Sequence, residues 1–148
     1  ACLVGSEMCI RDRYKAVNEY RRKFPEKAVT FYAQNYPAMG WAVFMAGGSC
    51  PVIPCKDKAF LKDAAVMEVE ETDSEDYKKM VKSGIGSIIY SNSGVEVPVQ
   101  LSSGKYILRY IHPDSGEMEV ISKSLKINNV YTLKVPDGKE GIYWFHRL

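Results

Sequence analysis

Gly104-Lys105-Tyr106-Ile107-Leu108-Arg109-Tyr110-Ile111-His112-Pro113-Asp114-Ser115-Gly116-Glu117 is the stretch whose reading decides the fold. Apolar and polar residues interleave from Tyr106 to Ile111. Pro113, Asp114 and Gly116 then supply a turn, and a second extended run begins at Met118. Proline presets φ and glycine reaches positive φ without strain, so the pattern predicts a β-hairpin. Two more extended runs follow, Val130–Val135 and Ile142–Phe145, parted by Pro136-Asp137-Gly138.

Just upstream the reading is also β. Ile85 and Ser87–Tyr90 form a run that ends in the turn Ser91-Asn92-Ser93-Gly94. Val95, Val97, Val99 and Leu101 then alternate with Glu96, Pro98 and Gln100, the mark of a strand with one wet face. Pro98 cannot donate to a ladder, which places this strand at an edge or turns its missing donor outward. Six short strands at this spacing suit a small antiparallel sandwich.

The front of the chain reads differently. Tyr14–Phe24 predicts a helix stopped by Pro25, with Ala16, Val17 and Tyr20 on one face and Arg21-Arg22-Lys23 in its last turn. Lys27–Tyr32 predicts a short strand. Ala38–Ala46 predicts a helix apolar nearly all round, ended by Gly47-Gly48, and Ser49–Pro54 a second buried strand. Asp57 is placed to cap a further helix running to Met67. Helix and strand in alternation are what a parallel α/β sheet or barrel leaves in a sequence. Two strands cannot cover their own edges, so this half reads as the tail of something larger. The acidic run Glu68–Asp76 lacks the spacing and the glycine of a calcium loop and reads as a solvated connection.

Composition narrows the classes. The chain of 148 residues is 46% apolar, enough for a core, and its net charge of +2 with no basic stripe argues against a nucleic-acid partner. No apolar run is long enough for a membrane span. Cys50 and Cys55 flank Pro51 and Pro54 at a spacing that suits neither a redox pair nor zinc, leaving free thiols or a local disulfide. Cys2–Arg13 looks like translated sequencing-adapter DNA. It is set aside from fold reasoning, which makes the remainder the C-terminal part of a longer protein.

Taken together, Gly104–Glu117, Tyr131–Pro136 and Ile142–Phe145 resemble the C-terminal β-sandwich of bacterial glycoside hydrolases. In those proteins it follows a catalytic (β/α)₈ barrel, and the relatives include a barrel family whose terminal domain carries a collagen-binding label. Gly40–Ser49 is similar to the last helix and strand of such a barrel. The resemblance spans residues 27–148. It implies an α+β chain in which residues 14–67 are a remnant of the last β/α units, 68–83 an acidic connection and 84–148 an accessory sandwich.

It also implies a polysaccharide or oligosaccharide partner, the missing N-terminal barrel as a second partner, export from the cell in relatives, and neither a cofactor nor a metal. Glycoside hydrolysis needs two carboxyl groups across the scissile bond. The place that holds the nucleophile in retaining relatives carries Tyr32-Ala33-Gln34-Asn35 here, with no acid. The chain alone is therefore expected to be inactive.

Tyr32, Gln34, Asn35, Tyr36 and Trp41 fall where a barrel presents substrate contacts. The favoured reading of Trp41 and Tyr36 is as core residues of an apolar helix. Ser49 lacks the nucleophile-elbow pattern. His112 and His146, the two histidines, are read as structural or surface residues. Tyr106, Tyr110, Tyr131, Tyr143 and Trp144 make either a glycan platform or cross-strand packing.

Overall fold

A computed structural model describes residues 7–30 and 37–148, with side chains for 12–30 and 40–148. The chain divides into two compact units, Ala1–Pro54 and Cys55–Leu148. No helix among the described residues is long and apolar enough to cross a membrane. Cys50 and Cys55 are both free thiols.

The first unit holds α1 (Glu7–Lys23) and α2 (Pro37–Met45). Arg21, Arg22 and Lys23 fill the last turn of α1, where cations meet the unpaired carbonyls of a helix end. Arg21 Nη1 also donates to the carbonyl of Ala46, 3.0 Å away. In α2 and just after it, Trp41 to Ala46 are all buried, as an apolar run without a polar face requires. Gly47, at φ 69°, ends α2 with its N–H on Phe44 O. Gly40 is dictated by contact: a Cβ there would lie 1.7 Å from the carbonyl oxygen of Val52.

Three expectations change here. No strand forms in residues 27–30 or 49–54; one backbone bond, Ser49 N to Val29 O at 2.7 Å, joins the two segments. Pro51 and Pro54 lack donors and Cys50 sits at φ 51°, so that stretch cannot sustain a ladder. The helix expected from Tyr14 starts at Glu7, within the residues set aside as adapter-like. Parallel β/α units are accordingly not among the described elements. The architecture is α+β with antiparallel sheets.

The second unit opens with α3 (Lys58–Ala64), whose N-cap Asp57 accepts from Phe60 N at 2.8 Å, as the sequence predicts. Eight strands follow among the described residues: β1 (Glu68–Glu70), β2 (Tyr77–Lys82), β3 (Gly86–Ser91), β4 (Glu96–Gln100), β5 (Gly104–Ile111), β6 (Met118–Ile127), β7 (Val130–Lys134) and β8 (Gly141–Arg147). One sheet has the order β1-β2-β3-β8-β5-β6, and β4 and β7 form a second, two-stranded sheet. Residues 68–83, read as an acidic connection, thus contain two paired strands. Cross-strand lysines neutralise the acids: Glu70 pairs with Lys79, and Glu68 with Lys82 at 2.9 Å.

Alternation assigns the faces. Ile89, Tyr106, Leu108, Tyr110, Ile127, Tyr143 and Phe145 of the large sheet pack with Val97, Val99, Leu133 and Val135 in one core. The small sheet therefore lies on one face of the large one, as a sandwich. The in-out alternation of β4 is as expected, with Glu96, Pro98 and Gln100 exposed. Pro98 sits in a two-stranded sheet, where a missing donor costs no ladder bond on its open side. Lys79 is buried and donates to Pro98 O at 3.4 Å, a polar tie from the large sheet to the small. On the opposite face Ile88, Ile111, Ile142 and Trp144 are buried, with Phe60 of α3 edge-on to Trp144 at 5.5 Å.

Phe145 is fully buried at the centre of the sandwich core. Phe145→Ala is expected to lower stability by about 3–5 kcal/mol, because the cavity left behind cannot collapse. Urea unfolding should register this as a lower midpoint at unchanged slope.

Candidate functional site

Two constellations in the second unit bring polar side chains together. The first joins α3 to β8. Asp63, near the C-terminal end of α3, is buried, and its Oδ2 accepts from Trp144 Nε1 at 3.0 Å and pairs with His146 Nδ1 at 2.7 Å. Trp144 and His146 project from the same face of β8, two residues apart, so one carboxylate serves both. That arrangement fixes the imidazole ring and leaves Nε2 as its outer nitrogen. Arg109 of β5 faces Trp144 in the ladder and holds its guanidinium 4.6 Å from the indole centroid. One nitrogen of that guanidinium, Nη1, is buried without a hydrogen-bond partner among the described residues.

The second constellation is a groove of about 380 Å³ at the open seam of the sandwich, lined by β5, β6, β7 and the 136–139 turn. Its floor is aromatic. Tyr110 and Tyr143 lie 5.2 Å apart, and both hydroxyls are engaged: Tyr110 OH on Glu140 O at 2.8 Å and Tyr143 OH on Lys139 O at 2.7 Å. Tyr131 is half-buried and packs edge-on to Phe145 at 5.7 Å. At the rim Glu119 bonds His112 Nε2 at 2.8 Å and Lys139 Nζ at 3.1 Å, while Lys139 stands 4.8 Å from the Tyr110 ring centroid.

The electrostatics follow from this packing. Hydrogen bonds from His112 and Lys139 hold the Glu119 carboxyl below its ordinary range, so it is ionised at neutral pH. Burial pushes the Tyr143 phenol well up, helped by Tyr110 and Glu119 nearby. Burial also raises Tyr110, against the opposing pull of Lys139. A smaller recess of about 240 Å³, lined by Glu70, Lys82, Ser83, Gln100 and Ser102 among others, lies between β2 and β4. No group of three or more His, Cys, Asp or Glu among the described residues is placed to hold a metal ion.

Of the residues expected to contact substrate, only Trp41 has a described side chain, and it lies in the first unit. Tyr32, Gln34, Asn35 and Tyr36 lie outside the described residues. Trp41 is fully buried in α2 with its ring edge-on to Phe44 at 5.5 Å. Of the aromatics weighed as a glycan platform, Tyr106, Tyr110, Tyr143 and Trp144 are core residues, and only Tyr131 reaches the groove half-exposed. Asp63 was invisible in the sequence because its partners lie more than eighty positions away. Glu119 was legible in principle: once the 113–116 turn sets the hairpin register, it falls opposite Tyr110.

Comparison with known proteins adds two findings. A family profile described as a domain of unknown function (DUF6298) matches residues 4–67, taking in α1 to α3 and stopping short of β1. No curated protein matches the sequence. Among solved structures, the chain is similar to a xyloglucanase of glycoside hydrolase family 44 from Paenibacillus polymyxa. The identity is 12% and the TM-score 0.53, covering 100% of this chain and 43% of that one. The likeness is one of fold. The chain spans less than half the length of that enzyme. The segment matched by the family profile ends inside the second compact unit, so α3 belongs by sequence to the helical half and by packing to the sandwich.

Two expectations follow from the site geometry. Asp63→Ala removes the acceptor of a buried indole N–H and is expected to cost about 1–3 kcal/mol, measured by urea unfolding. For the tyrosines, a phenol whose pKa is raised by folding contributes stability that is fully present below about pH 10 and lost as pH climbs towards the folded value. Alkaline difference absorbance should therefore show Tyr110 and Tyr143 ionising late among the ten tyrosines, together with unfolding.

Proposed function

We propose that this chain is the C-terminal part of a glycoside hydrolase-like protein, in which residues 14–67 close a (β/α)₈ barrel and the sandwich is a non-catalytic accessory domain packed on that barrel. The observation that carries the non-catalytic part is the distribution of acids. Each of the two grooves has a single carboxylate in its lining, Glu70 in one and Glu119 in the other. Glycoside hydrolysis requires a pair across the scissile bond, about 5–10 Å apart.

The link to glycoside hydrolases rests on the resemblance of Gly104–Glu117, Tyr131–Pro136 and Ile142–Phe145 to terminal sandwiches of those enzymes. Fold similarity to part of a xyloglucanase agrees with it. A packing role is supported by the Asp63 contact, which fastens the last helix before the sheets to their central strand. Substrate contacts from Tyr32, Gln34, Asn35 and Tyr36 belong, on this reading, to the barrel, whereas Trp41 is a core residue. A carbohydrate-binding role for the sandwich is the second reading, favoured by the aromatic floor and polar rim of the seam groove.

Incubating the purified chain with plant glycans and aryl glycosides is expected to release no reducing sugar and no aglycone. Sustained turnover, proportional to protein and absent in a Glu119→Gln variant, would overturn the proposal.

A further inference from the structure

We propose that the seam groove between β6 and β7 binds a neutral oligosaccharide, with Tyr131 as its stacking surface and Glu119 and Lys139 as its hydroxyl partners. This deepens the second reading above and rests on it. The groove selects its ligand by what it lacks as much as by what it offers.

The two phenols of the floor, Tyr110 and Tyr143, already donate to backbone carbonyls, so that floor presents ring and aliphatic surface rather than free donors. The rim is different. Glu119 keeps an ionised, half-exposed carboxylate with acceptor capacity beyond its bonds to His112 and Lys139, and the Lys139 ammonium has three donors.

Charge decides between ligand classes. Glu119 is paired with Lys139 at 3.1 Å, and Lys134 with Glu96 at 3.2 Å. The lining thus carries no uncompensated charge to attract a phosphate, a uronate or an ammonium. A purely apolar chain would satisfy the floor and strip water from the ionic rim without replacing it, which is costly. A pyranose fits both demands, because its C–H face is apolar and its perimeter carries hydroxyls that donate and accept. The volume of about 380 Å³ lies within the range of small-molecule sites and holds one or two sugar rings.

An extended peptide is the competing occupant, since β6 is an edge of the large sheet. The edge is poorly suited to it. Register shifts between Tyr106 and Leu108 and between Leu108 and Arg109 break its ladder geometry, and Lys123 and Lys126 discourage a further strand.

The test is amide chemical-shift titration of the full 148-residue chain with neutral gluco-, xylo- and manno-oligosaccharides, alongside a polyuronate and a short apolar peptide. At least one neutral sugar should give saturable shifts centred on Glu119, Tyr131, Thr132 and Lys139. Tyr131→Ala should weaken that binding about tenfold. Ile121→Arg, at an exposed position lining the groove, should abolish it while leaving the remaining spectrum unchanged. The proposal is overturned by an absence of saturable shifts with every neutral sugar, by shifts that map elsewhere, by a response to the peptide or polyuronate alone, or by binding that survives Ile121→Arg. Sugar hydrolysis in the same samples would instead count against the non-catalytic reading and leave the binding result standing.

Discussion

The second unit depends on the insertion of its last strand into the middle of the large sheet. β8 pairs with β3 on one side and β5 on the other, so neither half of the sheet is continuous without it. Ile142 to Phe145 are buried on both faces, which only a central strand can be. Residues that close a sheet from the end of the chain make contacts of long sequence separation, and these form only after the intervening segments have been ordered. The hairpin of β5 and β6, joined by the 113–116 turn, is local by comparison and supplies a template for β8.

β8 also connects the layers. Tyr143 and Phe145 reach into the sandwich core, while Trp144 and His146 point to the other face and meet α3. Asp63 there is a buried acid whose position is justified by two bonds at once, and a carboxylate removed from water is tolerated only with such partners. A helix that sequence similarity groups with the front of the chain is in this way held to the back of it.

The seam groove has a different origin. A two-stranded sheet cannot cover a six-stranded one, and the uncovered width lies over β5 and β6. Tyr110 and Tyr143 join Leu108 and Leu133 in the lining because a tyrosine can bury its ring and still place its hydroxyl on a loop carbonyl. Those two bonds pin the 136–140 turn, and with it Lys139, beside Glu119. The polar rim is thus a by-product of how the turn before β8 is held.

Local pattern by itself determined a good deal. The hairpin at 113–116, the wet and dry faces of β4, the cap at Asp57, the cations closing α1 and the buried character of α2 are all set by residues within a few positions of one another. Their physics is φ preference, side-chain period and unpaired backbone groups near at hand. Tertiary structure decided the rest. Residues 68–83 look like an acidic connection until Lys79 and Lys82 of β2 pair with Glu70 and Glu68 of β1. Residues 49–54 look like a buried strand, yet beyond the single backbone bond from Ser49 to Val29 they form no ladder among the described residues. Asp63 acquires its role only when β8 arrives, and Tyr106, Tyr110 and Tyr143 become core rather than platform only when β4 and β7 settle over them. Pairing and burial are properties of partners distant in sequence, and no window along the chain contains both members.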